Sequence, residues 1–212
     1  MLNPKVKLMP LFFLLLWPWL SLLAQDKAAR QWQDGLYYEF KHFQLNQPPH
    51  SLKPLQQAKF VLDNEENIVF LQGQQALLDS LWGFCMDAKP YLRIEADSNG
   101  QEDYFVQLKI LGRISYFDYP VWQIRPVNME IYNPMTGRKI GQRQVLNKEK
   151  VMQKRILSLE TGQIQPLEYQ SLSQWIQQDI GLKKSLDELG AKATEEQLLK
   201  VIRIYNDRNP LP

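Results

Sequence analysis

The chain has 212 residues and a formal net charge of +2, with one Cys and two His. That length bounds it to one domain or two small ones. A lone Cys excludes an intrachain disulfide, so the fold must rest on its hydrophobic core. A zinc site needs three or four convergent nitrogen or sulfur ligands, and this composition offers few.

Residues 1–24 stand apart. Lys5 and Lys7 precede an apolar run, Leu8 to Leu23, which contains Pro10 and Pro18; Ala24 then leads into Gln25-Asp26-Lys27. A basic start, an apolar middle and a small residue before a polar chain describe a secretory signal peptide cut after Ala24. The position three before that cut is Leu22, and the alternative is an uncleaved anchor. The run lies near the lower limit for a spanning helix. Membrane contact is then expected only through residues 1–24, if they are retained. No Cys ends the segment to accept a lipoprotein anchor, and no second apolar run approaches spanning length. The expected location is exported: periplasmic, outer-membrane-associated or secreted. Removing the leader takes away Lys5 and Lys7 and no acid, leaving 23 basic and 23 acidic residues. No global basic field exists to recruit nucleic acid.

After a polar lead-in, Asp34-Gly35 marks a turn. Leu36, Phe40 and Phe43 are spaced as in a short amphipathic helix over Leu36 to Phe43, although Tyr37 and Tyr38 also suit a strand. Gln47-Pro48-Pro49 ends it. Lys59 to Leu62 and Ile68 to Leu71 flank the polar tip Asp63 to Asn67 and read as a hairpin. Gln72 to Asp79 reads as a connection or a helical turn. Ser80 to Met86, Tyr91 to Ala96 and Tyr104 to Phe117 are apolar and aromatic runs split by turn residues, hence consecutive antiparallel strands. Tyr104 to Leu111 alternates as a half-wet strand does. Gly83 and Gly112 within strands predict bulges or close backbone approach.

Pro120 to Pro126 reads as a short edge strand or a crossing segment. Glu130 to Tyr132 and Arg138 to Ile140, around Asn133-Pro134-Met135-Thr136-Gly137, read as a further hairpin. Lys154 to Leu159 reads as the last strand. After Pro166 the period becomes helical: Leu172, Trp175, Ile176 and Ile180 form one stripe, and Leu182, Leu186 and Leu189 a second, closed by Gly190. Thr194 and Gln197 make a capping-box pattern before a third stripe, Leu198, Val201, Ile202 and Tyr205. The expected fold class is α+β: an antiparallel β-sheet core of about six to nine strands, then two or three short amphipathic helices at the C-terminus. The expected division is a signal peptide over 1–24, a mainly antiparallel β domain over 25–165, and a helical segment over 166–212 packed on the same core.

Chemistry-bearing patterns are sparse. His42 and His50 are separated by Pro48 and Pro49 and carry no metal motif. Asp97 to Asp103 offers oxygen ligands around Gly100 but lacks the length of an EF-hand loop, and serves equally as a hairpin turn. No nucleophile elbow or phosphate loop occurs. Cys85, between Phe84 and Met86, reads as a buried hydrophobe rather than a reactive thiol. The sequence therefore assigns no catalytic, cofactor-binding or metal residue and no cofactor. Two surfaces are candidates for binding. Arg138, Lys139, Arg143, Lys148, Lys150, Lys154 and Arg155 face only Glu149 as a local acid, and would suit an anionic glycan or lipid or an acidic partner such as another envelope protein; the alternative is a strand edge charged against unwanted pairing. Tyr116, Phe117, Tyr119 and Trp122 would stack on sugar rings if exposed, or fill the core if buried.

The chain resembles a family of uncharacterised exported proteins of Gram-negative bacteria. The resemblance rests on Asp34-Gly35-Leu36-Tyr37 with Phe40 and Phe43, on Leu81-Trp82-Gly83-Phe84-Cys85 with Tyr91-Leu92, and on Tyr104 to Phe117 with Leu111-Gly112-Arg113. It rests also on Leu157-Ser158-Leu159-Glu160-Thr161-Gly162 and on Tyr205 to Leu211. Met86-Asp87-Ala88-Lys89 departs from it, where a tighter Asp-Gly turn is expected. It implies export and a shared fold, and brings no activity or site residue. The reading is a non-enzymatic periplasmic or cell-envelope module for binding or assembly. An exported hydrolase using carboxylates or Cys85, and a glycan-binding module, are the alternatives.

Overall fold

The computed structural model describes residues 30–57, 59–63, 68–72, 79–95 and 104–211. The leader 1–24, the hairpin tip 64–67, most of the connection 72–79 and the loop 97–103 lie outside them. The chain divides into two units, Met1–Gln31 and Trp32–Pro212, and the second carries every element below.

The fold is α+β, with two antiparallel sheets and its longer helices at the C-terminus. The first sheet has six strands, β1 (Gly35–Tyr37), β2 (Lys59–Asp63), β3 (Ile68–Gln72), β4 (Gly83–Met86), β5 (Lys89–Ile94) and β6 (Tyr104–Gln107), in the spatial order β1-β4-β5-β6-β3-β2. The second has three: β7 (Ile114–Tyr132), β8 (Lys139–Ser158) and β9 (Ile164–Pro166). The helices are α1 (Phe40–Leu45), α2 (Tyr169–Trp175), α3 (Ile180–Leu189) and α4 (Glu195–Arg208).

Alternation along the strands builds three stacked cores. In the first sheet Leu36, Phe84, Tyr91 and Phe105 point to one face, where Leu55 of a short 3-10 turn covers them. Tyr37, Cys85, Leu92, Tyr104 and Val106 point to the other face and meet Phe117, Leu157 and Leu159. The opposite face of the same ribbon carries Ile114, Tyr116 and Ile156, against Leu172, Leu186 and Ile202 of the helices. The root of the β7–β8 ribbon is thus a middle layer, with apolar cover on both sides.

Several expectations change at this level. Leu36 and Tyr37 belong to β1, and the helix starts only at Phe40. The Tyr104 strand stops at Gln107, and Leu108–Arg113 turns the chain back, with Lys109 N donating to Tyr116 O at 2.8 Å. Pro120 to Pro126 does lie in an edge strand, not a crossing, but the strand is not short: it is the middle of the 19-residue β7. Both prolines share the parity of the ladder, pairing with Met152 and Leu146. A proline survives in a strand where its missing amide would face away from the neighbour, and the Pro120 carbonyl accepts from Tyr104 Oη at 3.0 Å. Ile180 does not join the stripe of α2. Asp179 accepts from Leu182 N at 2.9 Å and starts a new helix, leaving Ile180 exposed. The Thr194–Gln197 capping box is present at α4.

Both glycines mark close approach, but only Gly83 lies in a strand; Gly112 belongs to the turn between β6 and β7. A Cβ on Gly83 would lie 2.4 Å from the Tyr91 carbonyl oxygen. One on Gly112 would lie 2.2 Å from the Asn206 side chain.

Candidate functional site: a β-ribbon arm

Beyond Pro120 and Met152 the ribbon leaves the body. Eleven further rungs run from Val121↔Val151 to Ile131↔Gly141, a twelfth, Tyr132↔Lys139, follows a register irregularity, and Asn133 closes the tip by donating to Arg138 O and accepting from Gly137 N, each at 2.8 Å. At about 3.3 Å per residue this arm reaches about 40 Å. β9 pairs only with Arg155, Ile156 and Leu157, so among the described residues no strand covers either outer edge of the arm.

Its two faces differ in pattern. One presents Trp122, Ile124, Pro126 and Leu146 near the root, with Lys148 and Lys150 beside them; the Lys148 and Lys150 ammonium groups lie 5.0 and 6.0 Å from the Trp122 ring centre. The other presents Val127, Val145, Met129 and Ile131 towards the tip, beyond a polar band where Arg125 pairs with Glu149 at 2.9 Å. Ile124 is 56% and Leu146 76% exposed. Exposed apolar side chains in this density make the arm the candidate contact surface.

The seven basic residues do not form one patch. Lys139, Lys148, Lys150 and Lys154 share one face by register, Arg143 and Arg155 the other, and Arg138 sits in the tip turn. They spread over the length of the ribbon. Lys139 pairs with Glu130, whose carboxyl is held below its usual range first by that ammonium and then by Tyr132. Lys154 pairs with Glu195 at the start of α4.

The aromatic four do not converge either. Tyr116 is 4% and Phe117 0% exposed, on opposite faces of the root. Tyr119 is half-buried beside Phe117, and Trp122 alone is exposed. Tyr116 Oη lies 2.9 Å from Asp118 Oδ2 and 3.3 Å from Glu195 Oε1. Burial first, and then the Asp118 carboxylate, raises its phenol far above the usual range. Lys109 pairs with Asp118 at 2.5 Å. These groups fasten the root to the body.

Cys85 is fully buried, and its thiol lies 3.5 Å from Asp34 Oδ1. Burial, with the Asp34 charge adding to it, pushes its pKa up to about 12, the reverse of an activated thiol. His50 lies edge-on to Tyr38, and His42 is on α1. Among the described residues no three His, Cys, Asp or Glu side chains gather as a metal site. None of the described helices is long and apolar enough to cross a membrane.

A cleft of about 570 Å³ lies between the first sheet and the ribbon root, lined by Tyr38, Trp82, Arg93, Glu95 and Tyr119 among others. Its two carboxylates, Asp79 and Glu95, are both exposed. Neither the arm nor this cleft was singled out by sequence. The signal for the arm lay in two long β-compatible runs flanking one Asn-Pro-Met-Thr-Gly turn, far beyond the usual strand of five or six residues. Set against known proteins, no family model matches the chain, and neither a curated protein nor a solved structure does.

Proposed function

We propose that this is a non-enzymatic, exported module of the cell envelope that works by binding, with the β7–β8 arm as its contact surface. The observation that carries the reading is the arm itself: a ribbon about 40 Å long whose exposed Ile124, Val127, Met129 and Leu146 have no apolar cover among the described residues. A two-stranded ribbon is marginal in water alone, and exposing it this way is costly unless a partner covers it. The leader-like residues 1–24 support export.

The reading is tested with Ile124→Thr/Leu146→Ser, which keeps strand-compatible or small polar residues on exposed rungs. Envelope preparations from cells carrying the wild-type or variant chain are crosslinked and the chain recovered. Loss of a specific crosslinked species in the variant, at equal chain level in the envelope fraction, is the expected result. An unchanged crosslinking pattern, or a chain retained in the cytosol, overturns the reading.

A further inference from the structure

A second cavity, apart from the arm, lies where the helices meet the start of the ribbon. Its volume is about 380 Å³, within the roughly 300–1,000 Å³ that small-molecule sites span. Arg113, Glu160, Gln163, Gln174, Trp175 and Tyr205 are among its lining residues. They come from four places in the chain: the residue before β7, the β8–β9 turn, α2 and α4.

Arg113 sets this cavity apart. The residue is half-buried and its Nε fully so, and among the described residues its guanidinium makes no hydrogen bond and no ion pair. Arg93 in the larger cleft, by contrast, donates to Asp79 O and lies 4.0 Å from the Asp79 carboxylate. Withdrawing a guanidinium from water without an acceptor is costly, and its planar fork matches a carboxylate through two parallel hydrogen bonds. The backbone holds that fork in place. Arg113 O accepts from Leu159 N at 2.8 Å, and Asn206 fixes the next residue, Ile114.

Tyr205 adds a donor. Its ring is buried in the helical core, and its hydroxyl makes no hydrogen bond among the described residues. Burial raises the phenol above its usual range and the Arg113 guanidinium opposes that rise, so the two groups lie within electrostatic reach and the hydroxyl keeps its proton at neutral pH. Glu160 supplies the opposite charge. It is exposed on the β8–β9 turn and joins no ion pair among the described residues, so it does not neutralise Arg113 by contact. Gln44 Nε2 fixes that turn by donating to Leu159 O at 2.8 Å and to Glu160 O at 3.0 Å. One cation and one separate anion favour a ligand bearing the complementary pair, and the carboxylate disfavours a multiply charged oxyanion such as phosphate.

We infer that this cavity binds a small zwitterion, a free amino acid or a dipeptide, whose carboxylate is held by the Arg113 fork and the Tyr205 hydroxyl and whose ammonium group is held by Glu160. The cavity shares no lining residue with the arm, so its binding is independent of what the arm contacts.

The test uses the purified chain from Gln25 onward, which holds the whole unit Trp32–Pro212, isotopically labelled for NMR. Single L-amino acids, alanyl-alanine, acetate and inorganic phosphate are titrated in turn. The signals followed are the Arg113 Nε–H and the Trp175 indole N–H, assigned by their loss in Arg113→Lys and Trp175→Phe. At least one amino acid or the dipeptide should shift both signals saturably, with a Kd of about 1 mM or tighter and about tenfold below that of acetate or phosphate. Whether single amino acids or the dipeptide bind more tightly identifies the ligand. Arg113→Lys keeps the charge and loses the fork, and Tyr205→Phe loses only the hydroxyl; each should weaken binding by about tenfold. Glu160→Gln should weaken the zwitterion by a similar factor and tighten acetate. Glu160 is exposed, so this variant tests the site even if the other two disturb the fold. No shift of either signal with any zwitterion at about 10 mM, ten times the expected Kd, overturns the inference. So does acetate or phosphate binding as tightly as the best zwitterion, or a Glu160→Gln chain that binds that zwitterion as the wild type does.

Discussion

Asn206, near the end of α4, makes both backbone hydrogen bonds of Ile114, the first residue of the arm-bearing strand. Its Nδ2 donates to Ile114 O at 2.8 Å, and its Oδ1 accepts from Ile114 N at 3.0 Å. A side-chain amide here takes the place of a neighbouring strand, and it lies against Gly112, where no Cβ intervenes. The helix thereby sets the position at which the ribbon starts. Replacing Asn206 by Ala leaves two half-buried backbone groups without that partner and should cost about 1–3 kcal/mol, read as a lower midpoint in urea. Gly112→Ala drives a Cβ into the same amide and should cost a similar amount. The double variant should lose less than the sum of the two, because both singles break one contact; strict additivity would refute the shared contact.

The turn Asp87–Ala88 joins β4 to β5 with both residues at positive φ, 54° and 58°. This is the mirror-image turn that favours Asn-Gly or Asp-Gly, and Ala pays for its Cβ there by about 1–2 kcal/mol. Asp34 holds the turn by accepting from Ala88 N at 2.9 Å and Asp87 N at 3.2 Å. Ala88→Gly should therefore stabilise the protein by about 1 kcal/mol, and Asp34→Ala should destabilise it. Thermal melts of the two variants should move in opposite directions.

Cys85 is protonated in the fold up to about pH 12, while its ordinary thiol value is 9.0. A proton held more tightly in the native state gives stability that is present below the unfolded value and lost as pH rises through the folded one. Wild type should lose stability relative to Cys85→Ser between pH 9 and 12, and the difference between their urea midpoints should be flat below pH 8.5 or so. Thiol reagents at neutral pH should label the native chain only at the rate at which it opens. Rapid labelling would contradict the buried site.

The body should not need the arm. Val121 pairs with Val151, and joining them through Asn-Gly in place of residues 122–150 makes a two-residue hairpin turn. The three cores lie wholly outside the deleted rungs. The shortened chain should melt cooperatively, with its stability changed by about 1 kcal/mol or less. Collapse of the melt would show that the arm supports the body.

Thr194 caps α4 by accepting from Gln197 N, and the Gln197 side chain accepts from Thr194 N at 2.8 Å. Thr194→Ala should cost about 1 kcal/mol. Glu195, the next residue, pairs with Lys154 of the ribbon, so fraying at this cap should also speed amide exchange at the arm root. Equal exchange in both chains would separate cap from root.

What the sequence determined by itself was local. The strands β4 to β6, the capping box at Thr194 and the apolar stripes of α3 and α4 each depend on residues a few positions apart, and each is in the structure; the half-wet face expected of the Tyr104 strand is not, because Tyr104 and Val106 on one face and Phe105 on the other are all buried. The close approach at Gly83 and Gly112 is present too, because a missing Cβ signals a neighbour without naming it. Tertiary structure alone decided what those neighbours are: Asp34 against Cys85, Phe40 over Gly162, Asn206 on Gly112. It also decided that the strand continues through Pro120 and Pro126, since a proline breaks or spares a ladder according to which side its nitrogen faces. Most of all, it decided that Phe117 is buried and Leu146 is not. A period of two states that successive side chains take opposite faces; whether either face is covered depends on elements distant in sequence, and over the arm the described residues of the body supply none.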